Sequence, residues 1–347
     1  MSTAKFSNTD NSSSQANNNI STGQQQFNLQ YQIFAENLAS HSVTVLDYLA
    51  LHLPQLSPTE LDNWLKPLQI KLDNQRADSS DYVCDGQTLS ILILNHFEQK
   101  INRGWQLLWQ NDEIMAIYKP APLAVSRTTR NLYDTLIGLI RRQTPYYAAQ
   151  LLHRLDIETS GIILLTKDQA SDRKWKKQLQ QIIQAKVYHA IVTGTPDWED
   201  LVCENELAER LDSSIRCKMY VVDEQQPRAN YIKPKLSKTQ FKLLKTQGQY
   251  SLIECRLFTG RKHQIRAQLA DLGLPIVGDK IYSHAGKFFL KRLEKKRGLS
   301  SADHLELGSE NHLLRAVRLD LRLTENSPLI RIESPSFNLD LRANILF

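Results

Sequence analysis

Four consecutive apolar residues, Ile162 to Leu165, lie between the turn formers Thr159-Ser160-Gly161 and Thr166-Lys167-Asp168. A short apolar run without periodicity, closed by turns at both ends, reads as a buried strand. The stretch that feeds it, His153 to Gly161 (HRLDIETSG), places an arginine and a carboxylate on the entering loop. A rigid sheet aims such loop side chains into a cleft, so Asp156 is a candidate for chemistry. The competing reading is a plain hydrogen-bonded turn, because Asp, Ser and Gly are ordinary turn residues. From this stretch alone the turn is the commoner outcome.

The remainder of the chain supplies partners for that strand. Alternation at Ile114, Ala116 and Tyr118 reads as a strand stopped by Lys119-Pro120, and KVYHAIVTG (Lys186 to Gly194) and SLIECRLFTG (Ser251 to Gly260) read likewise. Helical spacing marks Leu132, Leu136, Leu139 and Ile140, with Arg141 and Arg142 following. It also marks Gln169 to Gln184, with Leu179, Ile182 and Ile183 toward the core, and His263 to Leu272, closed by Gly273. Strand, helix and strand repeating with long irregular insertions make this an α+β protein.

Residues 1–26 are Ser, Asn, Gln and Thr with almost no large apolar side chains, so they cannot offset the entropy of ordering and read as a disordered tail. Residues 42–95 form a small unit: Val45, Leu46, Leu49 and Leu53 at helical spacing, a helix start at Ser57-Pro58, then short strands ending in DGQTLSILIL. A linker from Phe97 to Arg103 leads to the main domain, 105–347.

The chain has 347 residues, 41% hydrophobic and 23% charged, enough for a full core. No stretch approaches the ~18 apolar residues of a membrane span, and the N-terminus lacks a secretory apolar segment, so the expected location is cytoplasmic, with no membrane partner. Cys84, Cys203, Cys217 and Cys255 lie far apart without metal-ligand spacing, which argues against a zinc site and a disulfide framework. A net charge of +6 suggests a polyanionic partner. Two basic clusters stand out, Lys233, Lys235, Lys238, Lys242 and Lys245, and then Lys287, Lys291, Arg292, Lys295, Lys296 and Arg297. Each is a solvated face or a nucleic-acid contact.

HRLDIETSG, KVYHAIVTG and FTGRKHQIRAQLADLGLPIVGDKIY (Phe258 to Tyr282) together resemble the motifs of the RluA-type RNA pseudouridine synthases, in the family's order and over roughly residues 105 to 335. The resemblance implies the pseudouridine synthase fold: a mixed, mainly antiparallel sheet with flanking helices and a central cleft. It implies that Asp156 carries the reaction on a uridine, that Arg266 keeps it ionised, and that Tyr188 stacks on the uracil and is a candidate for removing the C5 proton. It places Arg154 in the space left by the flipped nucleotide, has His153 orient the loop, and puts Lys119, Arg261 and His263 with the substrate-binding set. The implied partner is RNA, ribosomal ahead of transfer, acted on by a monomer without cofactor or metal. Pro122 stands where the family has a glycine. The 42–95 unit weakly resembles an S4 RNA-binding domain, but Ser57-Pro58-Thr59-Glu60 replaces expected basic residues and Pro67 a glycine, so RNA binding and pure packing both remain open for it. The segment 197–248 departs from the family and has no assigned role. The longer connection 283–311 carries the second basic cluster and is expected to touch RNA. Two rival readings are an RNA-binding ribosome-assembly protein with lost or secondary catalysis, and a nucleoside-cleaving enzyme. The latter needs a second carboxylate, and none stands out near the motifs.

Overall fold

The computed structural model describes residues 24–34, 43–52, 57–66, 69–99, 101–128, 131, 134–294 and 298–334. Residues 1–23 of the polar tail, Leu53, Pro67, Arg130, Leu132 and the basic residues Lys295, Lys296 and Arg297 lie outside the described residues. Contacts divide the chain into two compact units, 1–100 with 129–133, and 101–128 with 134–347. Among the described residues no helix is long and apolar enough to cross a membrane.

In the first unit, β1 (Gln24–Phe34), β6 (Thr88–Gln99), β3 (Gln69–Leu72) and β4 (Gln75–Ala77) form an antiparallel sheet in that order, while β2 (Val43–Thr44) pairs with β5 (Tyr82–Val83). β1 begins inside the stretch read as tail, and β6 runs through Phe97 into the stretch read as linker. Helices α1 (Val45–His52) and α2 (Pro58–Leu65) cover this unit's core, where Val45 and Leu49 pack with Leu61, Leu65, Ile70 and Leu89. Proline at the first position of α2 costs no hydrogen bond, because that N–H has no intrahelical acceptor.

The second unit is built on a mixed sheet. Its strands are β7 (Gln106–Gln110), β8 (Ile114–Lys119), β9 (Gln150–Leu151), β10 (Ser160–Thr166), β11 (Ile183–Thr193), β12 (Asp200–Arg210), β13 (Tyr220–Val221), β14 (Tyr231–Gln247), β15 (Tyr250–Leu257), β16 (Leu314–Leu321) and β17 (Ile330–Glu333). The spatial order is β13-β12-β14-β15-β11-β16-β10-β8-β7, with β17 beside β16 and β9 beside β10. Only β10 and β16 run parallel among these pairs. The apolar run Ile162 to Leu165 is therefore an interior strand, and all seven residues of β10 are buried, as a strand covered on both faces must be. Gly161 permits its pairing: at φ +110°, a Cβ there would stand 2.2 Å from the Ala316 carbonyl oxygen of β16.

Helices α3 (Leu136–Gln143) and α4 (Gln169–Ile182) contribute Leu136, Leu139, Ile140, Trp175 and Ile182 to the core. Asp168 caps α4 by accepting from the Ser171 amide at 2.8 Å, and the sequence leaves the helix at Ile183 to begin β11. Helix α5 (Gln264–Asp271) follows β15 and ends near Gly273, whose φ of +74° fits a glycine stop. The segment without an assigned role is an extension of the sheet: β12 and β14 form a long antiparallel pair whose buried residues include Leu207, Thr239 and Phe241. The 283–311 connection holds two helices, α6 (Lys287–Glu294) and α7 (Ser301–Leu307), the latter opened by a Ser300/Asp303 capping box.

Candidate active site

The loop from Leu152 to Thr159 leaves β9 and enters β10, and it is tied down at several points. Lys119, at the end of β8, donates through Nζ to the carbonyls of Ile157 at 3.1 Å, Leu123 at 2.9 Å and Pro120 at 3.1 Å. His153 Nε2 accepts from the Leu164 amide at 3.1 Å, and the Thr159 amide closes a turn onto the Asp156 carbonyl. The turn reading of this stretch is thus correct for the backbone. It leaves the Asp156 side chain 34% exposed at a cleft of about 330 Å³.

Asp156 Oδ2 receives Arg266 Nη1 at 2.7 Å. Arg266 is 5% exposed on α5, and its other edge grips Asp279, Nε to Oδ2 at 2.6 Å and Nη2 to Oδ1 at 2.9 Å. Asp279 also accepts from the backbone amides of Ile281 and Tyr282, so its carboxylate is fixed before it fixes the arginine. The Tyr282 ring lies 5.1 Å from the guanidinium carbon. Burial would raise the Asp156 pKa, yet the Arg266 guanidinium holds it below the ordinary carboxylate range. His263, the α5 cap, stands 3.8 Å from Asp156 Oδ2; burial and Arg266 push its pKa down to about 3, so it faces the site as a neutral ring bonded to the Tyr282 hydroxyl.

A second carboxylate lines the same cleft. Glu158 Oε2 is bound by Lys280 Nζ at 2.8 Å, with Arg292 Nη1 3.5 Å from Oε1 and His312 Nδ1 3.7 Å from Oε2. Burial raises its pKa less than Lys280 and its other neighbours lower it, so Glu158 stays ionised. A carboxylate held in this way cannot serve as the proton-donating partner of a nucleoside-cleaving pair.

The residues named from sequence separate into two groups. Asp156, Arg154, His263 and Arg266 line the cleft together. Among the described residues, the Arg154 side chain has no hydrogen bond or ion pair, which leaves its guanidinium free at the mouth. Lys119, His153 and Arg261 are not among the residues that line this cleft. Lys119 is fully buried because β8 pairs it with Gly161, and its three donors are occupied by loop carbonyls; burial pushes its pKa down to about 7. His153 faces β10, neutral at a pKa pushed down to about 3 by burial and Lys186. The exposed Arg261 donates to the Leu236 carbonyl of β14. Tyr188 is 8% exposed in the core and is not part of the cleft lining. Burial and the charge of Asp156 raise its pKa, so the phenol is neutral and no standing base.

Sequence reasoning missed Asp279, Glu158, Lys280 and His312. Asp279 and Lys280 lie inside the quoted VGDKIY stretch, and a buried arginine facing one carboxylate was a signal to look for another. Glu158, only two residues beyond Asp156, was passed over because its partners are distant in the chain.

Comparison with known proteins adds to this geometry. Residues 113–271 match the family described as RNA pseudouridylate synthase. This match and the curated relatives support the resemblance to the RluA-type RNA pseudouridine synthases. The family description and the names of the relatives support an isomerase activity. It is 27% identical to the ribosomal large subunit pseudouridine synthase D of Nitrosomonas europaea over 248 residues, 67% of each chain. It is 28% identical to the mitochondrial tRNA pseudouridine(32) synthase of Saccharomyces cerevisiae over 218 residues, covering 62% of this chain and 45% of that one. The solved structure of human RNA Pseudouridylate Synthase Domain Containing 1 superposes with a TM-score of 0.52 at 18% identity, covering 67% of this chain and 84% of that chain, a likeness of fold.

Proposed function

We propose that this RNA pseudouridine synthase isomerises a uridine in ribosomal RNA, with Asp156 as the catalytic carboxylate, working as a cytoplasmic monomer without cofactor. Residues 105–347 are the catalytic domain in this reading, and 42–95 an S4-like accessory unit. The observation that carries the assignment is an ionised Asp156, held at 2.7 Å by a buried Arg266, with a third of its side chain open to the cleft.

Isomerisation breaks the N1–C1′ bond, turns the base and joins C5 to C1′; the C5 proton is lost and N1 gains one, so composition is unchanged. An ionised carboxylate serves either by adding covalently to base or ribose or by stabilising a sugar cation. Arg266 keeps Asp156 charged and aimed in both cases, and the neutral His263 adds no positive charge that would quench it. The free Arg154 at the cleft mouth fits the gap left by a nucleotide swung out of its stack. Support for ribosomal over transfer RNA comes from the name of the Nitrosomonas relative, of whose length the chain covers the larger share.

Tritium release from RNA labelled at uridine C5 tests the reading. The parent should release tritium from ribosomal RNA, and Asp156→Ala, folded to the same melting temperature, should release none. Tight binding without release by the parent would instead favour the ribosome-assembly role.

A further inference from the structure

The cleft carries more positive charge than its chemistry uses. Arg127, Arg154, Arg266, Lys280 and Arg292 line it against Asp156 and Glu158. Arg266 is consumed by Asp156 and Asp279, and Lys280 by Glu158. Arg292 differs from both. It projects from α6, in the 283–311 connection, and its Nε is buried without a hydrogen-bond partner. Its nearest anion, Glu158, is 3.5 Å away and already bonded to Lys280. The guanidinium rests 5.4 Å from the Phe289 ring centroid, and Phe289 also lines the cleft. Lys291 ties α6 to Asp303 of α7 at 2.5 Å, and Lys287 bonds Glu306, so the helix holding Arg292 is braced from its far side.

An arginine that is stacked, braced and short of acceptors is preorganised for an anion with several oxygens. Uracil is neutral, whereas the backbone on each side of a flipped uridine is not. We propose that Arg292 is a substrate-binding residue that takes a backbone phosphate next to the uridine presented to Asp156, and that the 283–311 connection exists in this chain to deliver it. Glu158 positions the guanidinium when no RNA is bound. This inference rests on the isomerase reading above for what occupies the cleft.

The test uses the full chain and a large-subunit ribosomal RNA transcript, unlabelled for binding across a salt series and tritiated at uridine C5 for turnover. Loss of one charge-assisted contact should weaken binding by Arg292→Ala about 10- to 100-fold. The slope of log affinity against log salt should flatten by about 0.7 to 0.9, one phosphate's share. KM should rise by more than kcat falls. Arg292→Lys should keep the parent's slope with part of its affinity, and Lys176→Ala, on the exposed face of α4, should change neither. If Arg292→Ala folds poorly, Arg292→Gln against Arg292→Lys carries the same comparison. An unchanged slope in the neutral variants overturns the phosphate contact even if turnover falls. A parent that binds with an Arg292-dependent slope yet releases no tritium sustains the contact and defeats the isomerase reading; release with an Arg292-independent slope does the reverse.

Discussion

Arg266 serves two carboxylates at once, and the two are not equivalent. Asp279 is fully buried, takes two guanidinium bonds and two backbone amides, and has no room for a substrate. Asp156 takes one bond and keeps an open side. Asp279 therefore orients the arginine so that its remaining edge orients Asp156. Removing one member of a buried ion pair leaves an uncompensated charge, which costs about 3–5 kcal/mol. Asp279→Ala should lower stability by that amount in urea titration and reduce tritium release together with it; a loss below about 1 kcal/mol would show that the arginine is held by other means. Asp156 and Arg266 could be read from the chain because local motifs carry them and because a buried carboxylate at work needs a fixed cation. Their partners could not be read in the same way. The pairing of Arg266 with Asp156, 110 residues apart, follows from the family resemblance, whereas Lys280 and Glu158, 122 apart, carry no such signal and are brought together only by the assembled fold. Lys119 shows the opposite failure: proximity to the site in sequence was legible, but its direction was not, since the register opposite Gly161 decides which face it joins.

At the scale of elements, α5 is seated on the β12–β14 pair by a polar network beside the apolar cluster that holds Leu207 and Ala267. Gln268 donates to Asn205 Oδ1 and Ser237 Oγ and accepts from Thr239 Oγ1, while Gln264 donates to Thr239 and the Lys238 carbonyl and accepts from Thr259 and the Arg261 amide. A buried network with its partners satisfied specifies one geometry, since any slip strands donors in a dry interior. The part of the sequence least like the family is thus joined to the helix that carries Arg266. Its strands were hard to foresee because their inward positions hold Ser237 and Thr239, which disguise the alternation a buried strand usually shows. β10 was legible for the converse reason, as an unbroken apolar run between turns. Its entry depends on Gly161: Gly161→Ala combines a left-handed backbone cost of about 1–2 kcal/mol with overpacking of about 1–3 kcal/mol against Ala316. A fall of about 2–5 kcal/mol in denaturant stability is expected, and a change within 0.5 kcal/mol would mean that β16 yields easily.

Across the whole molecule, charge is arranged less by its sum than by its pairing. Of the first basic cluster, Lys238 on β14 pairs with Glu204 of β12 at 2.7 Å, and nearby Lys262 meets Glu209 and Arg228 meets Glu206. Three histidines, His153, His263 and His312, are kept neutral, with pKa values pushed down to about 3, about 3 and about 4, burial being the leading cause in each. The unfolded chain protonates each near pH 6.5, whereas the folded chain refuses the proton until pH 3–4. Stability therefore falls as pH drops through that window, by up to about 1.4 kcal/mol per pH unit for each histidine. The depressed carboxylates Asp156, Glu158 and Asp279 add their own loss only below about pH 4.5. Denaturation midpoints measured from pH 7.5 down to 4.5 should start to decline near 6.5, and a level profile down to pH 4.5 would contradict the burial of these rings as neutral groups.

The loop bearing Asp156 is fastened from three directions, by Lys119 to Ile157, by His153 to Leu164 and by Lys280 to Glu158. A loop so fastened has little compliance, and adjustment on encounter falls to the nucleic acid. On the proposed isomerase reading, the protein would then discriminate by mechanics as much as by contact: among uridines of equal sequence context, the ones in a pliant bulge or loop would reach the carboxylate, and the ones stiffened by pairing on both sides would bear the whole deformation themselves.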